Sequence, residues 1–180
     1  MKLKQKLLML VMIPVVLLGL GVALIAAYLA KTSMVESTKT QLAIACEGYS
    51  GNVNAFRAQD IDMTVFIGDT RSVSSIDGVV GTQASAEVIA KTLEGKEIYF
   101  STNANVNGQP YYGYYIPTEN GMLFSGKPQA EVTQNINALV GTIVGLSAVA
   151  MLVVAATAYI VSGRLAGLIL NVRRPVHSVP

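Results

Sequence analysis

The chain has 180 residues, of which 52% are hydrophobic and only 13% are charged, against about a quarter charged in an ordinary soluble domain. All 11 acidic residues and six of the 13 basic residues lie between Glu36 and Glu131, so this span carries a net charge of −5 and the other seven basic residues lie outside it. The pattern argues against a soluble enzyme, a disordered chain and a nucleic-acid-binding protein, since the last would concentrate positive charge on its folded part.

Two uncharged runs, residues 7–30 and 138–163, predict membrane-spanning helices. About 20 helical residues cross a bilayer core of roughly 30 Å, and both runs exceed that length. Pro14 is compatible with the first span, because proline is tolerated inside membrane helices. The alternatives are a core helix of a soluble domain and, for the first run, a cleaved signal peptide. The first run is too long for a signal peptide and Tyr28 fits a cleavage motif poorly, so we expect an uncleaved anchor.

Basic residues flank both predicted spans on the sides away from the middle of the chain, at Lys2, Lys4, Lys6, Arg164, Arg173 and Arg174. The positive-inside rule places such flanks in the cytoplasm. Residues 1–6 and 164–180 are therefore predicted to be cytoplasmic. Residues 31–137 are predicted to form one extracytoplasmic domain, although Lys31 at its outer boundary opposes the rule.

The middle segment predicts an α+β domain. Apolar residues recur every three or four positions from Val35 to Phe56, which indicates a long amphipathic helix continuing from the first span. Alternating apolar residues and turn signals predict two strands, then a short helix, then three strands. The strands are expected at residues 63–67, 71–76, 97–103, 111–117 and 122–125. Ser85 is predicted to cap the short helix at residues 86–93 and Gly95 to stop it. After Pro128, residues 130–137 are predicted to lead helically into the second span.

Residues that catalysis or metal binding would need are scarce. Cys46, the only cysteine, is expected to be a packing residue, and His177, the only histidine, lies at the predicted cytoplasmic end. The outer domain therefore lacks a Ser-His or Cys-His pair, and it has no glycine-rich phosphate loop. Asp60 and Asp62 are expected to be solvated at a strand entry. We predict no catalytic residue, no metal, no cofactor and no enzymatic activity.

Three motifs carry a family resemblance: TVFIGDTR at residues 64–71, GTQA at residues 81–84 and GQPYYGYYIP at residues 108–117. In their order and spacing they resemble the single-Cache ectodomains of bacterial methyl-accepting chemotaxis proteins, and the resemblance covers the whole chain. It implies a PAS-like Cache domain with a long N-terminal helix, a five-stranded antiparallel sheet and a short helix, flanked by two transmembrane helices. RRPV at residues 173–176 resembles the start of a HAMP linker. Because few residues follow, we expect either the input half of a longer receptor or a truncated gene product.

This resemblance implies the sensory region of a two-pass receptor in the bacterial inner membrane. A small extracellular ligand would bind the domain, and the second span would pass a conformational signal to a cytoplasmic signalling domain or kinase complex absent from this chain. The family works as a homodimer, and no nucleic acid is expected as a partner. Two alternatives stay open: the input domain of a sensor histidine kinase or nucleotide cyclase, and a stand-alone membrane-anchored ligand-binding protein.

The resemblance places the ligand on one face of the sheet, under residues 77–93. A guanidinium such as Arg71 can grip a carboxylate with two parallel hydrogen bonds, and Lys127 could add a second positive charge, which together predict a carboxylate anion. The alternatives are a surface ion pair of Arg71 with Asp69 or another carboxylate, and a solvated Lys127. Ser74 and Thr82 are candidate hydroxyl donors.

A tyrosine cluster lies in the fourth predicted strand. Strand alternation puts Tyr112 and Tyr114 on one face and Tyr111 and Tyr115 on the other. One pair is expected to line the pocket and the other to pack beneath the long helix, but the pattern leaves open which is which. The predicted ligand-binding residues are Arg71, Ser74, Thr82, Tyr112, Tyr114 and Lys127.

Overall fold

The computed structural model describes residues 3–172, so Lys2, the HAMP-like motif at residues 173–176 and His177 lie outside the described residues. The described chain divides into two compact units. Residues 31–137 form one unit, and the terminal segments, residues 3–30 and 138–172, form the other.

Three α-helices and five strands are present within residues 3–172. They are α1 (Leu3–Glu47), β1 (Asp62–Ile67), β2 (Thr70–Ser74), α2 (Ala86–Val88), β3 (Tyr99–Val106), β4 (Gln109–Thr118), β5 (Gly121–Pro128) and α3 (Gln129–Val172). A 3₁₀ helix, Arg57–Gln59, precedes β1, and α2 continues directly into a π-helical turn, Ile89–Glu94.

Both long helices contain an apolar segment of sufficient length to cross a membrane, within Met12–Glu47 of α1 and within Gln129–Arg164 of α3. Large apolar side chains of these segments are exposed, with exposed fractions of 71% for Leu24 and 70% for Leu152. Monomeric soluble proteins rarely expose large contiguous apolar patches. The two helices are therefore candidate membrane spans on either side of the domain at residues 31–137.

The predicted five-stranded antiparallel sheet is confirmed, and its strand order is β2-β1-β5-β4-β3. Each neighbouring pair of strands is antiparallel. Between β3 and β4, Asn107 and Gly108 both adopt positive φ, at 52° and 78°, which is the turn geometry that an Asn-Gly pair favours. The central strand β5 thus lies between β1 and β4, and β2 and β3 form the edges.

The first helix ends earlier than its apolar periodicity predicts, at Glu47 rather than near Phe56. Glycines cause the break. The Phe56 ring folds back onto Gly48, where a Cβ atom would lie 3.0 Å from the ring, and Gly51 adopts a left-handed φ of 94°. Val53 and Phe56 still pack against the sheet, so the periodicity reports burial correctly although the backbone there is not helical.

The short helix also differs from the prediction. Ser85 caps it as expected, accepting a hydrogen bond from the Val88 amide. However, only Ala86–Val88 is α-helical, and the remainder is the π-helical turn that ends before Gly95. Wider π-helical turns occur mostly as single turns and often lie at functional sites.

The two faces of the sheet have different covers. One face, here called the Arg71 face, carries Phe66, Tyr111, Tyr115, Met122 and Phe124, and it packs under residues 77–93, the covering segment, through Val79, Ala84 and Val88. The other face, the α1 face, carries Met63, Leu123, Tyr114 and Ile116, and it packs against Cys46, Tyr49, Val53 and Phe56. Strand alternation produces this division, because successive side chains of a strand point to opposite faces.

Two glycines leave room for an aromatic ring on the Arg71 face. Gly113 of β4 and Gly126 of β5 lie directly opposite each other. The Phe124 ring occupies the space that a Cβ atom at Gly126 would need, and a Cβ atom at Gly113 would lie 2.9 Å from the same ring. Tyr115 packs on Phe124 with the ring centroids 4.9 Å apart. The core of this face therefore requires glycine at both positions.

Replacing Gly126 with alanine is expected to destabilise the sheet by about 1–3 kcal/mol, the usual cost of overpacking a core. Thermal unfolding of the full chain in detergent, followed by the near-ultraviolet circular dichroism of the tyrosines, measures this cost. Because the clash is with the Phe124 ring, Gly126→Ala should cost less in a Phe124→Leu background. An equal cost in both backgrounds would show that the ring is not the cause.

Candidate functional site

The β1–β2 turn places Arg71 on the covered side of the sheet. Gly68 adopts a left-handed φ of 61° at the turn, a conformation that glycine allows without steric cost. The strand β2 then returns with Arg71 opposite Phe66, and the guanidinium carbon lies 5.2 Å from the centroid of the Phe66 ring. Only 8% of Arg71 is exposed. A cation is thus buried on the Arg71 face, in contact with an aromatic ring.

Arg71 holds the covering segment by side chain and backbone. Its Nη1 atom donates to Thr82 Oγ1 at 2.7 Å and to the Gln83 carbonyl at 2.8 Å. Its amide donates to the Thr82 carbonyl at 2.9 Å, and its carbonyl accepts from the Gly81 amide at 2.8 Å. Thr82 Oγ1 in turn donates to the Val79 carbonyl at 2.7 Å. The position of residues 79–83 therefore depends on Arg71.

The positive charge of Arg71 has no carboxylate partner. All 11 carboxylate side chains of the chain lie within the described residues, and the ion pairs there are Lys39–Glu36 and Lys91–Glu87. Burial lowers the pKa of the Arg71 guanidinium. Since buried charges are normally paired, an unpaired guanidinium at this depth is a site at which an anion would be stabilised.

Tyr115 is a titratable residue on this face that interacts electrostatically with Arg71. Burial raises the pKa of the Tyr115 phenol, and the positive charge of Arg71 opposes that shift. Tyr115 is only 3% exposed and packs between Tyr99 and Phe124. The arrangement combines one buried cation with a neutral phenol, which suits recognition of an anion rather than acid–base catalysis.

Thr92 is a polar residue of this region that the sequence did not single out. It lies on the π-helical turn, is fully buried, and its Oγ1 atom has no hydrogen-bond partner among the described residues. An unpartnered buried hydroxyl costs free energy unless something else satisfies it. No sequence signal could have identified Thr92, because a threonine one turn before a helix end is unremarkable.

Three of the six predicted site residues lie on the same side of the sheet, and two of them, Arg71 and Thr82, are in contact. Arg71, Ser74 and Thr82 lie on or above the Arg71 face, and Ser74 Oγ lies 2.7 Å from Thr64 Oγ1 while accepting from the Ile76 amide at 3.0 Å. A bulge at Ser72 interrupts the alternation of side chains along β2. Ser74 therefore pairs with Thr64 and lies on the same face as Arg71.

The other three predicted site residues lie elsewhere. Tyr112 stacks on Phe100, and Tyr114 packs near Cys46 on the α1 face. Lys127 pairs with Tyr112 and donates to the Gln59 carbonyl at 3.0 Å, at the far end of β5. The expectation that Lys127 could join Arg71 in one site is therefore wrong, because strand register puts the two cations on opposite faces. Whether any of the six contacts a ligand stays a prediction.

Comparison with known families fits this architecture. Residues 45–139, more than half of the chain, match the model of the family described as single Cache domain 3, and the chain belongs to that family. Cache domains are sensory domains that bind small-molecule ligands. No curated protein and no solved structure matches the chain. Within residues 3–172, no group of three or more His, Cys, Asp or Glu side chains is arranged to hold a metal ion.

Replacing Thr82 with valine is expected to loosen the covering segment, since a hydrogen bond to a charged group contributes about 1.5–3 kcal/mol. The Gly81 amide, which donates to Arg71, should exchange with deuterium roughly tenfold faster, because tenfold corresponds to about 1.4 kcal/mol. Hydrogen-exchange mass spectrometry of the full chain measures this. Thr118→Val, at an exposed position ending β4, is the matched control. Unchanged exchange in Thr82→Val would mean that the Arg71–Thr82 bond does not hold the segment.

Proposed function

We propose that this chain is the sensory region of a bacterial transmembrane chemoreceptor, with a small organic anion as its ligand. The ligand would bind on the Arg71 face, beneath the covering segment, and the chain would have no catalytic activity of its own. The observation that carries this proposal is the buried Arg71 guanidinium, which has no carboxylate partner within residues 3–172, in a domain whose family binds small molecules.

The hydrogen bonds of Arg71 support a carboxylate in particular. A guanidinium has five N–H donors in a fixed fork, and the hydrogen bonds it makes to described residues all come from Nη1. A carboxylate binds two parallel N–H groups of such a fork, and charge-assisted hydrogen bonds of this kind are roughly twice as strong as neutral ones. Thr92 Oγ1 and the Tyr115 phenol are further neutral donors in the same covered region.

Ligand binding has a direct route to conformational change. The face is packed by Val79, Ala84 and Val88, so an anion reaching Arg71 must compete with the contacts to Thr82 and Gln83. A ligand shifts a conformational equilibrium only by its differential affinity for the two states. An anion that releases these contacts would therefore favour a state with a repositioned covering segment. In the proposed receptor, β5 and α3 carry that change onwards, because α3 starts at the residue after β5.

The proposed location is the bacterial inner membrane, with both ends of the chain in the cytoplasm. Exposed apolar side chains along α1 and α3 support two spans, and the lysines before the first and the arginines after the second support the orientation. We also propose that the receptor is a homodimer and that a cytoplasmic kinase complex receives its signal.

Arg71→Gln keeps a polar side chain with N–H donors but removes the charge. Titration of the full chain in nanodiscs with a panel of small carboxylates and the matching amides is expected to show binding of at least one carboxylate. Arg71→Gln should weaken that affinity by at least about tenfold, as expected for a lost charge-assisted pair. Lys127→Gln, on the opposite face, is the control and should bind as wild type does.

Equal carboxylate affinity in wild type and Arg71→Gln would remove Arg71 from the site. A preference for the neutral amides would refute an anionic ligand. Chemotaxis itself is checked by fusing residues 1–172 to the cytoplasmic part of a known chemoreceptor. Swimming bias should then follow the carboxylate that binds in vitro, and no response to that compound would contradict the chemoreceptor assignment.

Cysteine labelling tests the proposed membrane orientation. The native cysteine should give little background labelling, because it is buried. Cys46 is only 4% exposed, and its thiol donates to Ser125 Oγ at 3.2 Å. In intact cells a membrane-impermeant maleimide is expected to label Glu119→Cys, in the β4–β5 turn, and not Lys6→Cys, before the first span. Permeabilised cells should label both. Labelling of Lys6→Cys alone in intact cells would invert the proposed orientation.

A further inference from the structure

A second polar cluster lies on the Arg71 face, at the opposite end of β1. Asp62, expected from the sequence to be solvated, is instead half-buried and accepts two hydrogen bonds. Its Oδ1 accepts from Ser75 Oγ at 2.8 Å and its Oδ2 accepts from the Tyr111 hydroxyl at 3.1 Å. Asp62 lies four positions before Phe66, the neighbour of Arg71, and four positions span about 13 Å along a strand. The cluster is therefore distinct from the Arg71 site.

Glu131, in the first turn of α3, interacts electrostatically with Asp62 and Tyr111 of this cluster. It is the third residue of α3, and α3 follows β5 without an intervening residue. Glu131 Oε2 is buried and has no hydrogen-bond partner among the described residues. Val132 and Ile136, in the first two turns of the same helix, are buried. The start of α3 is thus packed onto the domain with an unsatisfied carboxyl oxygen beneath it.

The charged and titratable groups that interact electrostatically with Glu131 come from several elements. Asp60 precedes β1, Asp62 begins it, Tyr111 lies on β4 and Lys127 lies on β5. Burial is the main cause that raises the pKa of the Glu131 carboxyl. The charges of Asp60 and Asp62 raise it further, and Lys127 opposes them. Burial and Asp62 also raise the pKa of the Tyr111 phenol, so Tyr111 remains a donor to Asp62 around neutral pH.

We infer that the junction of β5 and α3 is a proton-sensitive switch. Protonated Glu131 holds the first turns of α3 on the domain, and ionised Glu131 releases them. A neutral carboxyl can remain buried beside two other acidic side chains, whereas a carboxylate with an unpartnered buried oxygen loses hydration and is repelled by Asp60 and Asp62. The junction would give the sensor a second input, separate from any ligand at Arg71.

The direction of the pH effect follows from linkage. Because the packed arrangement raises the pKa of Glu131 above its ordinary value of 4.5, protonation stabilises this arrangement relative to one in which Glu131 is solvated. The stabilisation is complete below pH 4.5 and is lost as the pH rises through the raised value. Acidification should therefore tighten the start of α3, and a shift to alkaline pH should loosen it.

Hydrogen exchange of the full chain in nanodiscs tests the switch. Protection factors, which remove the intrinsic pH dependence of exchange, are compared at about pH 5 and about pH 8. The informative amides are those of residues 133–137, since the first four amides of a helix lack intrahelical partners. We expect wild-type protection there to fall roughly tenfold between the two pH values, which corresponds to about 1.4 kcal/mol. Glu131→Gln, which mimics the protonated side chain, should keep high protection at both.

Matched variants isolate the carboxyl responsible. Glu119→Gln, exposed in the β4–β5 turn, should retain the wild-type pH dependence, and so should Arg71→Gln, which separates the switch from the proposed anion site. Asp62→Asn removes a like charge and should move the fall in protection to lower pH. β5 amides serve as the reference for an intact fold. Equal wild-type protection at both pH values, an undiminished fall in Glu131→Gln, or no displacement in Asp62→Asn would overturn the inference.

Discussion

The contacts between the β1–β2 hairpin and the covering segment are the constraint on which the Arg71 face depends. Arg71 donates to Thr82 and Gln83, and in the adjoining turn the Asp69 carbonyl accepts from the Ala84 amide while its carboxylate accepts from Gln83. These bonds join the turn to residues more than ten positions later, so the hairpin determines where the cover lies. Because the central cation has no carboxylate partner among the described residues, the contact that closes this face is also the one for which an anion would compete. Closure and recognition therefore cannot be independent in the proposed receptor.

The sequence predicts the strands of this domain but not which side chains lie on which face of the sheet. Turn residues and alternation were sufficient for five strands and their order along the chain, because Asn-Gly and Gly-Asp turns specify where a strand reverses. The run Tyr111–Tyr115 is symmetric about Gly113, so alternation alone gives no sign of which pair lies under which cover. Register with β5 decides it, since Tyr115 pairs with Phe124 on the Arg71 face while Lys127 pairs with Tyr112 on the other. Register depends on contacts between distant residues, which a single sequence does not show.

Other features are invisible to local patterns for a related reason. Apolar spacing predicted α1 to continue to Phe56, and the side chains concerned are indeed packed, but periodicity reports burial and not hydrogen bonding. The π-helical turn has the composition of an ordinary helix, so the position of Thr92 in the core could not be anticipated. Asp62 looked solvated because its partner, Tyr111, is 49 positions away. In each case a tertiary contact overrides what the neighbouring residues favour.

The strand β1 gives the two candidate inputs a common element. Near its end, Phe66 lies opposite Arg71, and its first residue, Asp62, belongs to the cluster with Glu131. The strand pairs with both β2 and β5. Two ligands influence each other only if both bias the same conformational equilibrium, and the resulting coupling is then reciprocal. If anion binding at Arg71 and protonation at Glu131 act on one displacement of β1 against β5, anion affinity must depend on pH to the same extent that proton affinity depends on the anion. If the covering segment moves while β1 stays fixed, anion binding and protonation act independently. A strand that is paired on both sides and keeps its register passes no conformational change from one site to the other.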